Sequence, residues 1–373
     1  MTKKLRVGII GAHWGTATHL PAWRSIDGVD VTAICTSRQE TADRAAAEHH
    51  IAKAYGSYEA MAKDPDIDII DVGTRPNIRY DMLVKSIEGG KHIYSGIPFT
   101  DSLDHARHVC SLQKEHGVCG VVDAYTEWMP AVQYMKSLLE QGYIGDLWGF
   151  SGFFHMQMFN EGVVNIPEYA WFWEKRTGTS VLRNLGSHMM NLLTFLFGEM
   201  AEVLADLRCA LPQWHMPDGT VHQVETHDHA SLLLRLKNGV AGPIDLSWSS
   251  SNGKGFRLAV HGSKGRLELC APSFPTPESL KLYGTQDTGF PGSNDGLLDI
   301  PENFDAEFGI AIKISKSEMG PIFPMALAMQ SLVKQIKGDS TPAAPGFPQA
   351  CHVQEVIQAA EVSAETKRWC QVG

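Results

Sequence analysis

The chain has 373 residues, of which 43% are hydrophobic and 20% charged, and its formal net charge at pH 7 is -10. That length suffices for two domains with cores of their own, and the composition is ordinary for a soluble globular protein. The negative balance argues against a nucleic-acid binder, which would show a basic stripe. Seven cysteines (Cys35, Cys110, Cys119, Cys209, Cys270, Cys351 and Cys370) come without a CxxC pair, so neither a disulfide framework nor a zinc site is suggested. The opening MTKKLR is basic but leads into no long apolar segment. The expectation is a cytoplasmic protein with no signal peptide and no membrane span.

LRVGII (5–10) is a short apolar, β-rich run ending at Gly11, and a helical stretch follows from about Gly15 to Ile26. VDVTAIC (29–35) reads as the second strand, QETADRAAAEHH as a helix and DIDIIDVGT as the third strand. NIRYDMLVKSIEGG is a helix closed by glycines, HIYSG a fourth strand, DSLDHARHVCSLQKEHG a helix and VCGVVDAY a fifth strand. Strands alternating with helices of this length mean βαβ units on a parallel sheet. The alternation stops near Tyr125, which predicts a first domain over 1–125 and a second over 126–373.

The second half opens with an amphipathic helix, PAVQYMKSLLEQG (130–142), and a long, partly alternating strand, LWGFSGFFHMQMF (147–159). SHMMNLLTFLFG is a buried helix. EVLADLRC, ASLLLRL, VAGPIDLSWS and the hairpin FRLAVHGSKGRLELC follow, with the hairpin turning at Gly262–Gly265. Consecutive strands on short turns imply an antiparallel or mixed open sheet. The stretch 271–305, rich in Pro, Gly and Asp, is predicted to loop over a surface. Two helices, FPMALAMQSLVKQIKG and ACHVQEVIQAAEVSAETKRW, close the chain.

The first strand, turn and helix read GIIGAHWGT (8–16). A dinucleotide fingerprint needs glycines for the tight turn, for backbone approach to the pyrophosphate and for helix contact with the strand. Counting from Gly11, the later two belong at 13 and 16. The chain has His13 and Thr16 there, with Gly15 one place early. The context is still right, because a helix N-terminus offers free N–H groups and a positive dipole to phosphate. A plain βα turn without ligand is the alternative. An acidic residue is expected roughly 20 residues further on, to hold the adenosine ribose. Strand two instead ends Cys35-Thr36-Ser37-Arg38, with no carboxylate before Glu40. Two hydroxyls followed by a guanidinium suit a 2′-phosphate, so NADP is expected, NAD being possible. A solvent-exposed loop arginine is the alternative.

RVGIIGAHWG, VTAICTSR, IDIIDVGT, KSIEGGKHIYSGIP, MKSLLEQGYIGDLWGF, NLGSHMMNLLTFLFG and DHASLLLRLKNGVAGPIDLSW, in that order and spacing, resemble the Gfo/Idh/MocA oxidoreductase family over nearly the whole chain. CTSRQETA and GDSTPAAPGF lean towards the branch near the yeast galactose-pathway repressor Gal80. The resemblance implies an α/β fold: an N-terminal Rossmann dinucleotide-binding domain, then an α/β domain with a large open, mostly antiparallel sheet that commonly forms a subunit interface. It implies NAD(P)-dependent redox chemistry on sugars, polyols and related small molecules, in a homodimer or homotetramer. By the same resemblance Gly11, His13, Trp14, Thr36, Ser37, Arg38, Thr74, Arg75, Pro76, Gly96 and Pro98 line the cofactor.

Two departures stand out. Where the family has Glu-Lys-Pro, the chain has Gly96-Ile97-Pro98, and the proton-handling lysine is gone. The helix pattern Asp-x-x-x-His reads Asn184-Leu185-Gly186-Ser187-His188, which puts Asn184 and His188 on one helical face. His188 can serve as acid/base near neutral pH. Asn184 can orient a hydroxyl but takes no proton. Three readings stay open: a dehydrogenase using His188 alone, a non-catalytic NADP and sugar sensor, or a redox-assisted lyase or hydrolase with tightly bound cofactor.

The run EYAWFWEKRTGTSVLRNLGSH offers Trp171 and Trp173 as flat apolar faces and Lys175 and Arg176 as carboxylate holders. Core burial of the rings and solvation of the cations are the alternatives. Glu127 and Trp128 follow the last Rossmann strand, where the family faces its cleft, and Glu127 is a second-choice base. His155, on the long strand, faces the same cleft in the family. The cluster His215, His222, His227 and His229 invites a metal reading, and His227-x-His229 puts two side chains on one face, but no cysteine is near and the resemblance implies no metal here. No metal is expected.

Overall fold

The computed structural model describes residues 4–159, 167–286, 295–301 and 320–373. The chain divides into two units: Met1–Trp128 with Phe308–Cys351, and Met129–Glu307 with His352–Gly373.

The first unit contains β1 (Leu5–Ile10), a π-helical turn (Gly15–His19), α1 (Leu20–Arg24), β2 (Val29–Cys35), α2 (Gln39–Glu48), β3 (Lys53–Tyr55) and α3 (Tyr58–Ala62). It continues with β4 (Ile69–Val72), α4 (Pro76–Glu88), β5 (His92–Ser95), α5 (Leu103–His116), β6 (Gly120–Val122) and a 3-10 turn (Tyr125–Trp128). The strands lie in the order β3-β2-β1-β4-β5-β6, every neighbouring pair parallel. All four residues of β4 are buried, as expected of a strand covered on both faces. Serine hydroxyls cap two helices: Ser57 accepts from the Ala60 N–H and Ser102 from the His105 N–H. Edge strand β3 has only three residues and no burial pattern, so no periodic signal announced it.

The second unit holds α6 (Pro130–Glu140), β7 (Leu147–His155), 3-10 turns at Pro167–Trp173 and Lys175–Thr177, α7 (Leu185–Phe197) and β8 (Met200–Arg208). It goes on with β9 (Gln213–His215), β10 (Val221–Gln223), β11 (His229–Leu236), β12 (Ala241–Ser247), β13 (Gly255–Gly262), β14 (Arg266–Ala271), β15 (Lys281–Thr285) and β16 (Gly296–Leu297). Helix α8 (Ile322–Ile336), which falls in the first unit, and α9 (Phe347–Thr366) precede β17 (Cys370–Gln371). A nine-stranded sheet runs β16-β15-β14-β13-β7-β12-β11-β8-β17. Its pairs are antiparallel except β7 with β12. β11 and β14 alternate half-buried and buried residues, so one face carries the core. Phe150, Phe154, Leu246 and Leu258 on that face are buried, and α7 packs against β12.

Two expectations need correction. The stretch 271–305 is not all loop, because β15 and β16 extend the sheet from within it; its residues 287–294 and 302–305 lie outside the described residues. Residues 126–373 do not form one domain either, since the chain returns to the first unit over Phe308–Cys351. The reason is burial. α8 sinks Phe323, Met325, Leu327 and Met329, and it packs on α1, β5, β6 and the 125–128 turn of that unit. The returning segment also closes the β6 edge. Val121 bridges to Gly346, the Val122 N–H donates to the Pro345 carbonyl at 2.9 Å, and the Phe347 ring lies over Gly120.

Candidate active site

In the first unit the strand order reverses between β1 and β4, and in open α/β sheets ligands bind beyond the carboxyl ends of the strands at such a point. Gly11 leaves β1 with φ +107°, and a Cβ there would lie 3.3 Å from the Gly73 carbonyl oxygen. Glycine suits both demands. A Cβ on Gly15 would come within 2.9 Å of Ile9 Cγ2, so this glycine lets the helix approach the strand. That is the task the fingerprint gives its third glycine, done one position early. The helix begins here with a π turn, Gly15–His19, whose hydrogen bonds each span one residue more than in an α-helix. Thr16, at the fingerprint position, turns its hydroxyl back onto the Ala12 carbonyl. His13 and Trp14 stand exposed at the turn. This cradle of bare backbone at a helix start fits the pyrophosphate of a dinucleotide.

After β2, the Thr36 hydroxyl donates to the Arg38 carbonyl at 2.9 Å and meets the Thr41 hydroxyl at 2.5 Å. It is committed to its own loop, while Ser37 and Arg38 are exposed. After β4, the Thr74 hydroxyl contacts Met82 Sδ at 3.5 Å, Arg75 is exposed and Pro76 starts α4. After β5, Gly96 and Pro98 are buried, and the Ile97–Pro98 bond is cis. Ile97 packs on the apolar core of this unit.

Below this rim lies a buried polar cluster that sequence reasoning missed. His19 Nδ1 sits 2.8 Å from Asp71 Oδ1, and His19 Nε2 sits 3.2 Å from Asp123 Oδ2. Trp23 Nε1–H donates to Asp71 at 2.7 Å, the Tyr94 hydroxyl to Asp123 at 2.6 Å and Trp14 Nε1–H to Asp123 at 3.3 Å. Burial opposes a charged imidazole, but attraction to Asp71 and then Asp123 outweighs it, and the His19 pKa is raised to about 10. His19 is therefore an imidazolium held between two carboxylates. Burial, reinforced by Asp123, pushes the Tyr94 hydroxyl well above the ordinary phenol range. Arg79, also buried, faces the loops after β4 and β5, and burial brings its pKa down to about 9 against the pull of Asp123 and Asp71. No spacing rule links positions 14, 19, 23, 71, 79, 94 and 123, so no motif could have shown the cluster.

Glu127 and Trp128 are tied to the returning segment. Glu127 Oε2 accepts from Gln349 Nε2 at 3.0 Å, and Trp128 Nε1–H donates to the Ala344 carbonyl at 2.7 Å. Burial pushes the Glu127 carboxyl up to about 8, opposed by the Gln349 hydrogen bond. It is a protonated, buried acid at neutral pH.

In the second unit Asn184 stands at the position before α7, its side chain making no capping hydrogen bond, with His188 one turn inside the helix. Arg183 grips Glu361 through Nε and Nη2, both at 2.8 Å, which steadies the start of the helix. His188 is 8% exposed, and its ring meets the edge of Phe274 at 5.0 Å. Phe274 also touches Phe154 of β7. His155 follows Phe154 directly, and successive strand residues point to opposite faces. It bonds Asp245 at 2.7 Å and stacks on Phe153. His155 thus lies on the face of the sheet opposite to Phe154, away from the Phe274 and His188 contact.

Trp171 is half-buried against Phe172, a core residue. Trp173 stacks on His222 at 4.3 Å. The Lys175 N–H donates to Glu225 at 3.1 Å, and the exposed Arg176 pairs with Glu174. His215 and His222 sit on the β9–β10 pair, while His229 bonds Asp228 at 3.0 Å and Ser247 at 3.1 Å.

A six-stranded parallel sheet in this order, with a positive-φ glycine at its switch point, defines a dinucleotide-binding α/β protein. The model of the oxidoreductase family with an NAD-binding Rossmann fold (GFO_IDH_MocA) matches residues 5–124, and the GFO/IDH/MocA C-terminal domain model matches residues 132–268. The chain belongs to the Gfo/Idh/MocA oxidoreductase family and is an NAD(P)-dependent dehydrogenase. An uncharacterised oxidoreductase of Synechocystis is 28% identical over 72% of this chain and 73% of its own length. The D-apiose dehydrogenase of Paraburkholderia graminis is 25% identical over 72% of this chain and 68% of its own. The crystal structure of an NAD-binding oxidoreductase from Klebsiella pneumoniae superposes with a TM-score of 0.86, at 26% identity, over 99% of both chains.

Proposed function

We propose that the chain transfers hydride between NADP and a hydroxyl or carbonyl of a sugar or polyol, with His188 moving the proton and Asn184 orienting the substrate oxygen. The carrying observation is the pair itself: an amide and a buried imidazole one turn apart at the start of α7. The D-apiose dehydrogenase relative supports a sugar-type substrate. The nicotinamide cofactor supplies the hydride chemistry when bound. The turn after Gly11 would hold its pyrophosphate, and Ser37 with Arg38 its adenosine ribose, where an exposed guanidinium favours a 2′-phosphate. Ile97 carries no proton, so His188 is the acid/base of this reading. The Phe274 edge beside it narrows its access to water. Cytoplasmic residence and assembly as a homodimer or homotetramer belong to the same proposal, the latter open to light scattering.

The test is turnover of a panel of sugars and polyols, followed by nicotinamide absorbance. His188→Ala should cost at least about tenfold in kcat and flatten the pH profile, and unchanged turnover would reject the assignment. Tight NADP binding with no turnover would favour the sensor reading. Substrate cleavage without net cofactor reduction would favour the redox-assisted lyase.

A further inference from the structure

Arg79 lies on α4 and is 2% exposed, yet no carboxylate touches its guanidinium among the described residues. Its partners are backbone carbonyls. Nη1 donates to the Gly96 carbonyl at 2.7 Å and to that of Pro98, with the Phe99 carbonyl at 3.4 Å, while Nη2 donates to the Thr74 carbonyl. The first three acceptors belong to the loop after β5 and the fourth to the loop after β4, on neighbouring strands. Asp71 and Asp123 offset the charge from further away. Position 96 is matched to this arrangement, because a Cβ on Gly96 would lie 2.8 Å from Arg79 Nη2 and 3.2 Å from its Cζ. The guanidinium fills the space a side chain at 96 would need.

We propose that Arg79 is a positioning residue for the dinucleotide, tying the loops after β4 and β5 into one rigid rim. The inference rests on the dinucleotide reading of this crevice. The end of β2 takes the adenosine ribose, so the loops beyond the switch point serve the other nucleotide, the nicotinamide half. A planar fork with several donors can hold carbonyls on two loops at once, which a lysine ammonium on a flexible stem does poorly. Gly96 is the other half of the device: bare, so that the cation can approach from below. Ile97 then presents an apolar side chain between two backbone groups that Arg79 has fixed.

The experiment compares two ligands on the intact protein by calorimetry: NADP, and its fragment 2′-phospho-ADP-ribose, which lacks the nicotinamide. Arg79→Met should weaken NADP by about tenfold, since loops no longer held in place must be ordered on binding, at about two- to tenfold in affinity per immobilised group, while the fragment keeps most of its affinity. Equal weakening of both ligands marks a merely structural arginine and overturns the proposal, as does unchanged NADP affinity. Should Arg79→Met fail to fold, Gly96→Ala retains the charge but presses on it, and must show the same split between the ligands; unchanged affinities there overturn the proposal equally. A wild-type protein that binds neither these two ligands nor NAD and ADP-ribose instead removes the dinucleotide reading, before any variant is made; one that binds only NAD and ADP-ribose is tested for the same split with that pair.

Discussion

Replacing His19 by Gln keeps an amide donor but removes the cation between Asp71 and Asp123, both buried and both bonded to the imidazole. Two carboxylates would then face each other in a site closed to water. Removing one partner of a buried ion pair costs about 3–5 kcal/mol. A domain of 150–250 residues loses about 2–4 °C of thermal midpoint per kcal/mol, so the expected fall at pH 7 is on the order of 10 °C. The pH dependence supplies a second check. The folded pKa of His19 is raised from 6.5 to about 10, so its proton stabilises the fold fully below the unfolded pKa and ceases to do so as pH rises through the folded one. The gap between wild type and His19→Gln should narrow steadily from pH 7 to pH 10 in thermal melts followed by circular dichroism. A variant melting within about 2 °C of wild type at pH 7, or a gap constant with pH, would refute the buried imidazolium.

Glu127 shifts stability with pH in the same direction, but here the variant gains where His19→Gln loses. Its carboxyl is raised from 4.5 to about 8, so the folded state holds a proton the unfolded state has released, and stability declines as pH climbs through that window. Glu127→Gln should match wild type at pH 5 and exceed it at pH 8 in chemical denaturation; a constant difference would mean that the carboxyl is already ionised. Arg38→Ala should weaken NADP by about tenfold or more, as loss of a charged hydrogen bond does, and leave NAD alone. Equal loss of both cofactors, or tighter NAD than NADP binding in wild type, would remove the phosphate role of Arg38.

The parallel sheet was legible because βαβ units write themselves in alternating strands and helices, and β1 and β2 fall where LRVGII and VDVTAIC put them. The place of α8 was not, because chain order carries no record of a segment returning to an earlier unit; only the burial of its apolar side chains reveals that. The displaced Gly15 reads as a broken fingerprint until its contact with Ile9 is seen. The face that His155 takes was not legible, because one step along a strand changes the face and where an alternating run begins decides it. The His19 and Arg79 contacts stayed hidden because each residue comes from a different element. A lone histidine in a helix or a lone arginine after a proline looks like any surface residue.

The closing of β6 by residues 345–347 has a consequence for biosynthesis. Until those residues leave the ribosome, the outermost strand of the first sheet has no partner along one side, and Gly120 lacks the ring that covers it. At about 5–20 residues per second the delay is on the order of ten seconds to a minute. A bare strand edge invites pairing with other chains. The nascent protein therefore passes through an interval of vulnerability set by its own connectivity, in which a chaperone or a slow translation rate decides how much of it reaches the native state.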